Sequence, residues 1–239
     1  MPYTIYHFRS LASTQDKAKE FAKKGTSDTV IVAEIQTEGR GRLKRKWHSG
    51  KGGLWMSIVL RPENTQNLQY LTFAAAVAVA KSIKKIANLN TNIKWPNDVH
   101  YKNRKLCGIL TEGIFGKDSY VIAGIGLNVN QSKFPDDIKN VATSLKMIKK
   151  KIFSIKKLMS SILEEFFSLY NNYYAKNKLV QILAVWKRYC DTINKNVRVI
   201  TKTKEIKGKV IGIDKECRLL LKTENNHIIK IIEGDIKVR

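Results

Sequence analysis

The segment at residues 39–47, GRGRLKRKW, places glycines and cations close enough together to hold a bound anion. Glycine lets the backbone come close to a ligand and adopt unusual dihedral angles. Arginine pairs with phosphate through a planar fork of donors, and lysine does so as a point charge. The chain contains neither GxxxxGKS nor GxxxxGKT, so a nucleotide site built on this segment is not a P-loop. The segment predicts either a loop that closes over a nucleotide or a flexible basic surface loop.

A second group of polar residues lies in the middle of the chain, in the run KWPND at residues 94–98. The proline forces Trp95 into an extended backbone and bends the chain. Asn97 and Asp98 then present oxygen atoms that suit a hard cation such as Mg²⁺. Lys105 begins the next β-rich run, so a rigid strand would hold its ammonium group in place. The run is equally typical of a β-hairpin turn, in which Asn and Asp are common.

Two shorter patterns each have a binding and a structural interpretation. The run GIGLN at residues 124–128 has glycine at alternate positions of a predicted strand. That spacing marks the close approach of a ligand or another backbone, although packing explains a lone pair of glycines as well. Ser13, Thr14 and Gln15 stand where a helix begins, the first two with hydroxyl groups. Their hydroxyls either cap the helix or, beside its free N–H groups, bind a small polar ligand.

The hydrophobic pattern predicts the framework that must position these residues. Strand patterns occur at residues 4–8, 29–35, 54–60, 92–95, 105–112 and 120–129, and helical patterns occur from Ser13 to Gly25 and at residues 68–87, 155–174 and 179–189. From Val197 onward, short strands alternate without a helical period. We expect an α/β (α+β) domain at residues 1–191, with helices packed on a mixed sheet. A small all-β domain at residues 192–239 would follow and fits an SH3-like barrel.

Composition limits the class of protein. The chain has 239 residues, 43% of them hydrophobic, which is enough to bury a core. The longest apolar run, residues 73–80, is far shorter than the roughly 20 residues of a membrane span, and the start of the chain lacks the apolar stretch of a secretory signal. Cys107, Cys190 and Cys217 are too widely spaced for a zinc site or a disulfide framework. We therefore expect a cytoplasmic protein with reduced cysteines and no membrane partner.

The net charge of +24 admits two interpretations. It would attract a polyanionic partner, such as nucleic acid, the phosphates of ATP or an acidic protein. Lysine is, however, spread over the whole chain, and the densest basic runs, at residues 40–46 and 146–157, are short. A nucleic-acid arm would be a dense basic run with interleaved aromatic residues. We therefore favour biased composition over a specific nucleic-acid partner.

Taken together, these segments resemble the biotin protein ligase family. The Ser-Thr pair, Gln36 ahead of Gly-Arg-Gly-Arg, Trp47, the runs LWMSIVLRP and KWPND, Lys105 with Gly108, and GIGLN follow in that family's order and spacing. The combination of Gly-Arg-Gly-Arg with KWPND is specific, and the likeness covers nearly the whole chain, including the β-rich tail. Because the chain begins directly at the catalytic domain, it is similar to ligase-only members that lack an N-terminal helix-turn-helix.

The resemblance implies an ATP-dependent enzyme. It would convert biotin and ATP to biotinyl-5′-AMP and pyrophosphate with Mg²⁺, and then pass biotin to a lysine of a biotin carboxyl carrier protein. Lys105 and Arg42 would be the catalytic cations. The resemblance assigns biotin binding to Ser13, Thr14, Gln36, Gly39, Arg40, Gly41, Arg42, Trp47, Lys105, Gly108, Gly124 and Gly126. It assigns ATP and adenylate binding to Arg42, Lys94, Asn97, Asp98, Lys105 and Asn128, with Asp98 also the Mg²⁺ ligand.

The sequence departs from the family pattern at a few positions. Family members usually have glycine where Lys44 stands, and no role is assigned to this lysine. Asn196 and Cys217 replace small or glycine turn positions in the tail, so the turns there are not predicted in detail.

Three alternatives remain open at this point. Lipoate or octanoate ligation uses related chemistry in a related fold, although the Gly-Arg-Gly-Arg loop argues against it. A basic nucleic-acid-binding regulator would explain the charge, but an N-terminal helix-turn-helix is absent from this sequence. By analogy with the family, pairing of sheet edges also predicts a homodimer.

Overall fold

A computed structural model describes residues 3–63, 67–201 and 204–238. In chain order the first part contains β1 (Thr4–Leu11), α1 (Thr14–Lys23), β2 (Thr29–Gln36), β3 (Leu54–Leu60), α2 (Leu68–Ala87), β4 (Asn92–Lys94), β5 (Asp98–Tyr101), β6 (Arg104–Ile114), β7 (Tyr120–Leu127), α3 (Leu145–Lys149), α4 (Ile155–Leu169) and α5 (Leu179–Tyr189). The second part contains β8 (Asn196–Ile200), β9 (Glu205–Ile213), β10 (Leu219–Lys222), β11 (Ile228–Ile231) and β12 (Asp235–Val238).

The larger sheet is mixed and has seven strands in the order β1-β2-β3-β7-β6-β5-β4. Strands β1 and β2 are parallel because α1 crosses between them, and the other pairs are antiparallel. Every residue of the interior strand β3 is buried, which explains its nearly continuous apolar sequence. The edge strand β1 is mostly exposed. The interior strands of the sheet therefore belong to the buried core, and the edge strand β1 faces solvent.

Helices α2, α4 and α5 pack together behind the sheet. The alanine-rich α2 is buried along most of its length, because small side chains let it lie close to neighbouring elements. The ring of Phe73 on α2 stacks on Trp186 of α5, with centroids 4.0 Å apart. Ser161 of α4 donates a buried hydrogen bond to Ser82 of α2, 3.0 Å long. These contacts join the three helices into one layer.

The smaller sheet is antiparallel, with five strands in the order β11-β10-β9-β8-β12. It lies against the larger unit, and hydrogen bonds from two aromatic side chains join the two. Trp95 Nε1 donates to the carbonyl of Cys217 at 2.9 Å, and the Tyr70 hydroxyl donates to the carbonyl of Lys215. Closure of this sheet into an SH3-like barrel and a domain boundary at residue 191 stay predictions.

The structure confirms the expected fold class and departs from the sequence-based elements in local ways. Strand β5 was not expected, because its four residues follow the polar run KWPND directly. The short helix α3 was also not expected, although Ser144 caps it by accepting from Met147 N. The predicted helix at residues 155–174 is α4 followed by a π-helical turn at Tyr170–Tyr174. The three cysteines are free.

In the described ranges, none of the helices has the length and apolar character that crossing a bilayer requires.

Candidate functional site

A cavity of about 370 Å³ opens on one end of the larger sheet. It is bounded by the start of α1, the loop after β2, strands β3, β6 and β7, the segment before α3 and the turn before β12. The residues that line it are Ser13, Thr14, Gln15, Gln36, Arg40, Gly41, Arg42, Leu43, Arg45, Lys46, Trp47, His48, Met56, Ser57, Asn97, Asp98, Lys105, Gly108, Ile109, Leu110, Gly124, Ile125, Gly126, Asn128, Phe134, Ile138, Val141, Ala142, Gly234 and Asp235. Its volume is that of a small-molecule site.

The inner end of the cavity is a network of amides and hydroxyls. Gln36 Oε1 accepts from the backbone N–H of Thr14 at 2.7 Å and from its hydroxyl at 3.0 Å. The other end of the Gln36 amide donates to Ser49 Oγ at 2.7 Å. Ser13 caps α1 by accepting from Gln15 N, so the cap and the polar network share one turn of helix. This end can therefore hold a small, neutral, polar group.

Lys105 lies in the middle of the cavity wall at the start of β6. Its Nζ is 2.6 Å from Asp98 Oδ1 on the neighbouring strand β5 and 5.1 Å from the centroid of the Trp47 ring. An ammonium group over an aromatic face is attracted by the ring quadrupole. Strand, carboxylate and ring thus fix the position of this cation.

Arg42 reaches the same region from the loop after β2. Its Nη1 donates to Asn97 Oδ1 at 3.2 Å, and its guanidinium lies 4.0 Å from Glu233. Burial lowers the pKa of Arg42, and the nearby carboxylates of Glu233 and Asp98 oppose that shift. An arginine keeps its charge at neutral pH even so. A partly desolvated cation therefore lines the same cavity as Lys105, and a bound anion there would be strongly stabilised.

Arg40, in contrast, directs its guanidinium onto the outside of α1. It forms a two-pronged pair with Asp16, with N–O distances of 2.5 and 2.7 Å, and a further bond of 3.3 Å to Ser13 Oγ. The hydrogen bond from Arg40 lowers the pKa of Asp16 below its usual value. Arg40 therefore lines the cavity while anchoring the loop to α1.

The loop itself is a small hairpin. Residues Arg40 and Lys46 form an antiparallel bridge, Trp47 N donates to Gly39 O at 2.8 Å, and Gly41 N donates to Arg45 O at 2.8 Å. At its tip, Leu43 and Lys44 have φ values of 55° and 58°, in the left-handed region. Glycine adopts that region at no steric cost, so the glycine expected at position 44 from the resemblance would fit this backbone better than lysine does.

The smaller sheet contributes to the cavity wall. Gly234 and Asp235, at the start of β12, lie at its mouth. Asp235 forms an ion pair with Arg45 of the loop. The site is therefore assembled from residues at opposite ends of the chain.

The predicted site residues are brought together, with two exceptions. The cavity lining includes Ser13, Thr14, Gln36, Arg40, Gly41, Arg42, Trp47, Asn97, Asp98, Lys105, Gly108, Gly124, Gly126 and Asn128. Gly39 stands behind the wall, where a Cβ would be 2.5 Å from Ser49 Oγ and 2.6 Å from the Trp47 carbonyl. Lys94 lies on β4, opposite Asp98 in the strand register, and outside the lining.

The alternating glycines of β7 make room for side chains that form the wall. A Cβ on Gly124 would be 2.5 Å from Gln15 Oε1, and one on Gly126 would be 2.4 Å from Trp47 Nε1. A Cβ on Gly108 would meet the Trp47 ring at 3.2 Å and the Lys105 side chain at 3.3 Å. The glycines at positions 108, 124 and 126 therefore serve the site by letting side chains pack closely against strands β6 and β7.

Sequence reasoning missed several lining residues. Ser57 belongs to the polar network and carried a usable signal, because it is the one polar residue of the buried strand LWMSIVL. Asp235 had no local signal, since its role depends on how the smaller sheet is placed. The apolar residues of the segment before α3 were also missed, because apolar residues in a loop are common; they are Phe134, Ile138, Val141 and Ala142.

No cluster of three or more His, Cys, Asp and Glu side chains that could hold a metal ion occurs in residues 3–63, 67–201 and 204–238. Mg²⁺ bound together with a nucleotide needs only one or two carboxylates, because the phosphates and water supply the other ligands. The carboxylate of Asp98 at the cavity wall fits that smaller requirement.

Comparison with known proteins identifies the family. The model of the biotin/lipoate A/B protein ligase family matches residues 7–130, and that of the biotin protein ligase C terminal domain matches residues 192–239. The bifunctional ligase/repressor BirA of Bacillus subtilis is 41% identical, over 99% of this chain and 74% of its own length. The chain belongs to the biotin/lipoate A/B protein ligase family.

Other members of the family support the assignment. The biotin--[acetyl-CoA-carboxylase] ligase of Mycobacterium tuberculosis is 30% identical over 87% of this chain and 77% of its own length. A solved structure of the biotin protein ligase from Aquifex aeolicus, in complex with biotin and ATP, superposes with a TM-score of 0.88. That protein is 30% identical, and the match covers 99% of this chain and 98% of the other.

Proposed function

We propose that this protein is a biotin protein ligase. It activates biotin with ATP to biotinyl-5′-AMP and pyrophosphate, and then transfers biotin to a lysine of a biotin carboxyl carrier protein. The observation that carries the proposal is one cavity with a neutral polar end, at Thr14 and Gln36, and a cationic centre, at Arg42 and Lys105. Family relatives with biotin ligase names, and one structure with biotin and ATP bound, support the choice of substrates.

Biotin fits this cavity in one orientation. Its ureido ring has the size and polarity of the inner end, where Thr14 and Gln36 offer hydrogen-bond partners. Trp47 and Met56 supply an apolar wall for the sulfur ring. Its carboxylate would then lie toward Lys105, since a negative group is stabilised by a hydrogen-bonding cation.

Adenylation needs the two cations together. The carboxylate of biotin must approach the anionic α-phosphate of ATP, and two unit charges 4 Å apart repel by about 4 kcal/mol at an effective dielectric near 20. Lys105 and Arg42 remove that penalty and stabilise charge that develops in the transition state. A bond forms between the biotin carboxylate and the α-phosphorus, and pyrophosphate leaves.

The nucleotide side of the cavity is the part bounded by Asn97, Asn128 and the segment before α3. Phe134, Ile138 and Val141 provide an apolar surface that suits a purine base. Mg²⁺ would accompany the phosphates, with Asp98 as its protein ligand, and would assist the departing pyrophosphate. Lys94 lies apart from this surface and would act on the nucleotide through its neighbour Asp98.

The loop at residues 39–47 protects the product. Biotinyl-5′-AMP is a mixed anhydride that water would hydrolyse, so the site must exclude water until the acceptor arrives. The ion pairs of Arg40 with Asp16 and of Arg45 with Asp235 hold the loop at both ends. In the second step the acceptor lysine attacks the anhydride and AMP leaves. Because a free lysine has a pKa of about 10.4, a base must accept its proton, and Asp98 is the candidate.

The domain arrangement and setting follow from the same proposal. Residues 1–191 would form the catalytic unit, and residues 192–239 would complete the cavity mouth. The enzyme would act in the cytoplasm, where carrier proteins are made, and a homodimer through sheet edges is part of the proposal. A light-scattering mass that stays at the monomer value at all ligand concentrations would remove the homodimer.

The test is biotin-dependent exchange between ATP and pyrophosphate. The wild-type protein should exchange only when biotin is present, and Lys105→Ala should lose at least a hundredfold in rate. Lys117→Ala, which removes an exposed lysine of the turn between β6 and β7, is the matched control and should exchange normally. Exchange with lipoate or octanoate in place of biotin would assign the other activity of the family. Exchange with none of these acids, in folded protein, would contradict the proposal.

A further inference from the structure

Trp95 is buried between the larger unit and the smaller sheet, two residues before Asn97. Only 2% of its surface is exposed. Its indole Nε1 donates to the carbonyl of Cys217 at 2.9 Å, and its backbone N–H donates to the hydroxyl of Thr192 at 3.3 Å. Both acceptors belong to residues 192–239, whereas Trp95 connects β4 to β5 of the larger sheet. This one residue therefore joins the two parts of the molecule.

The carbonyl of Cys217 belongs to the turn between β9 and β10, which its own hydrogen bonds hold together. Asp214 Oδ1 accepts from the backbone N–H groups of Glu216 and Arg218, at 3.0 and 2.9 Å. Asp214 Oδ2 accepts from Arg218 Nε at 2.7 Å, and Cys217 N donates to the Asp214 carbonyl at 3.0 Å. Aspartate commonly organises a turn in this way. The acceptor for the indole of Trp95 thus has a defined position.

A stiff connection links Trp95 to the cavity. Only Pro96 separates it from Asn97. The proline ring fixes its own φ and restricts the backbone of the residue before it. The run therefore has few torsions that could absorb a movement of Trp95. A displaced indole would move Asn97 and Asp98 as well.

Asn97 and Asp98 line the cavity and contact its two cations. Asn97 Oδ1 accepts from Arg42 at 3.2 Å, and Asp98 Oδ1 is 2.6 Å from Lys105 Nζ. Two bonds attach Asn97 to β6: its Nδ2 donates to the carbonyl of Ile109 at 2.8 Å, and Ile109 N donates to its carbonyl at 3.0 Å. The run is thus held from β6 on one side and from the smaller sheet on the other. Without the second anchor it could pivot about its bonds to β6.

We infer that Trp95 is a positioning residue for ATP, because its bond to the carbonyl of Cys217 sets where Asn97 and Asp98 stand in the cavity wall. The inference rests on the proposed function, which gives these two residues to the nucleotide. Trp95 itself touches no substrate. Its loss should therefore weaken the binding of ATP and leave the binding of biotin, at the other end of the cavity, almost unchanged.

A second bond to the same turn provides an internal comparison. Tyr70 of α2 donates from its hydroxyl to the carbonyl of Lys215, and it is as deeply buried as Trp95. All of α2 is described, and none of its residues lines the cavity. Loss of the Tyr70 bond would weaken the attachment of the smaller sheet without touching the run at residues 94–98. Tyr70→Phe is therefore the matched control.

The experiment measures KM for ATP and for biotin in the exchange reaction. It also measures Kd for α,β-methylene ATP, which cannot release pyrophosphate, by calorimetry. Trp95→Phe keeps an aromatic ring and removes the N–H donor. It should raise KM for ATP and Kd for the analogue about fivefold, the effect of one hydrogen bond, with KM for biotin changed less than about twofold. Tyr70→Phe should be less stable to urea and keep all three constants within about twofold of wild type.

Three outcomes would overturn the inference: no change in either variant, an equal rise in KM for ATP in both, or an equal rise for biotin and ATP in Trp95→Phe. If Trp95→Phe fails to fold, Thr192→Val decides the matter by the same split between ATP and biotin. That variant keeps the side-chain shape and removes the acceptor of the Trp95 backbone N–H. Absence of biotin-dependent exchange in the wild type would instead refute the proposed function, and binding of the analogue would still test the role of Trp95.

Discussion

At the scale of single residues, the backbone of Lys44 is strained. Its φ of 58° follows the φ of 55° at Leu43, so two residues with side chains hold the left-handed conformation in succession. Each such residue costs roughly 1–2 kcal/mol. The hairpin form of the loop is kept in spite of this, by the bonds across its base and by its ion pairs with Asp16 and Asp235.

We expect Lys44→Gly to favour the hairpin form of the loop. Removing about 1 kcal/mol of unfavourable backbone energy should slow the release of biotinyl-5′-AMP about fivefold. Stopped-flow measurement of release gives the rate. Lys44→Ala is the control, since it removes the same charge and keeps the same φ requirement, and its release rate should stay within twofold of wild type. Equal slowing in both variants would mean that the charge, and not the backbone, is responsible.

The residues of the site were predictable where several of them stand close together in the sequence. Arg42, Lys105 and the KWPND run could be found in this way, because cations and turn-forming amides stand out in a motif. Asp235 could not, since its position in the cavity depends on a sheet formed far away in the sequence. The roles of the predicted residues stay predictions until the variants above are measured.

At the scale of elements, the stack of Phe73 on Trp186 joins α2 to α5 behind the sheet. Trp186 is fully buried, so its removal would leave a large cavity. We expect Trp186→Ala to lower the free energy of unfolding by about 3–5 kcal/mol, measured by urea denaturation. Val180→Ala, on the solvent side of the same helix, should cost less than about 0.5 kcal/mol. A loss below about 1 kcal/mol for Trp186→Ala would show that α5 is not essential to the core.

The elements themselves were predictable from period and composition. Strand β3 and helices α2 and α5 begin and end where the sequence indicates, since long apolar patterns define their own bounds. Strand β5 was not predictable, because its four residues gain their pairing from β4 and β6 and have no pattern of their own. No local sequence pattern predicts the order of the strands in the sheet either.

At the scale of the whole molecule, Asp191 connects the end of α5 to the larger sheet and to Lys195, the residue before β8. It lies 3.0 Å from His100 Nε2 on β5 and 3.4 Å from Lys195 Nζ. Burial raises the pKa of Asp191, but the hydrogen bond with His100 and the charge of Lys195 outweigh it, and the pKa is lowered from its usual 3.8. A carboxylate whose pKa is lower in the folded chain stabilises the fold above the usual value. That contribution disappears as the pH falls through the lowered value.

We therefore expect Asp191→Asn to be less stable than wild type by about 1–2 kcal/mol at pH 7. The difference should shrink below pH 4 and vanish once the wild-type carboxylate is protonated. Urea unfolding at a series of pH values measures it. Asp118→Asn changes an exposed carboxylate and should show no such dependence. A difference that is constant from pH 7 to pH 2 would exclude the ionic contribution.

The net charge of +24 is also a property of the whole molecule. If it attracts an acidic carrier protein, transfer of biotin should slow as salt is raised, because added ions screen the attraction between surfaces. The exchange of ATP with pyrophosphate, which needs no carrier, is the internal control and should change much less. Equal rates of carrier biotinylation at 50 and 500 mM salt would indicate that the charge is a matter of composition alone.

Because Gly234 and Asp235 line the cavity, the site becomes complete only late in synthesis of this chain. A ribosome delivers the chain from its N-terminus, and the catalytic cations are exposed long before residue 235 is synthesised. Until then the Arg45 anchor has no partner and the mouth lacks one side. Unfinished chains should therefore leak the activated biotin, which can acylate lysines at random. Because the residues that close the cavity are synthesised late, selective biotinylation of the carrier requires them to be in place.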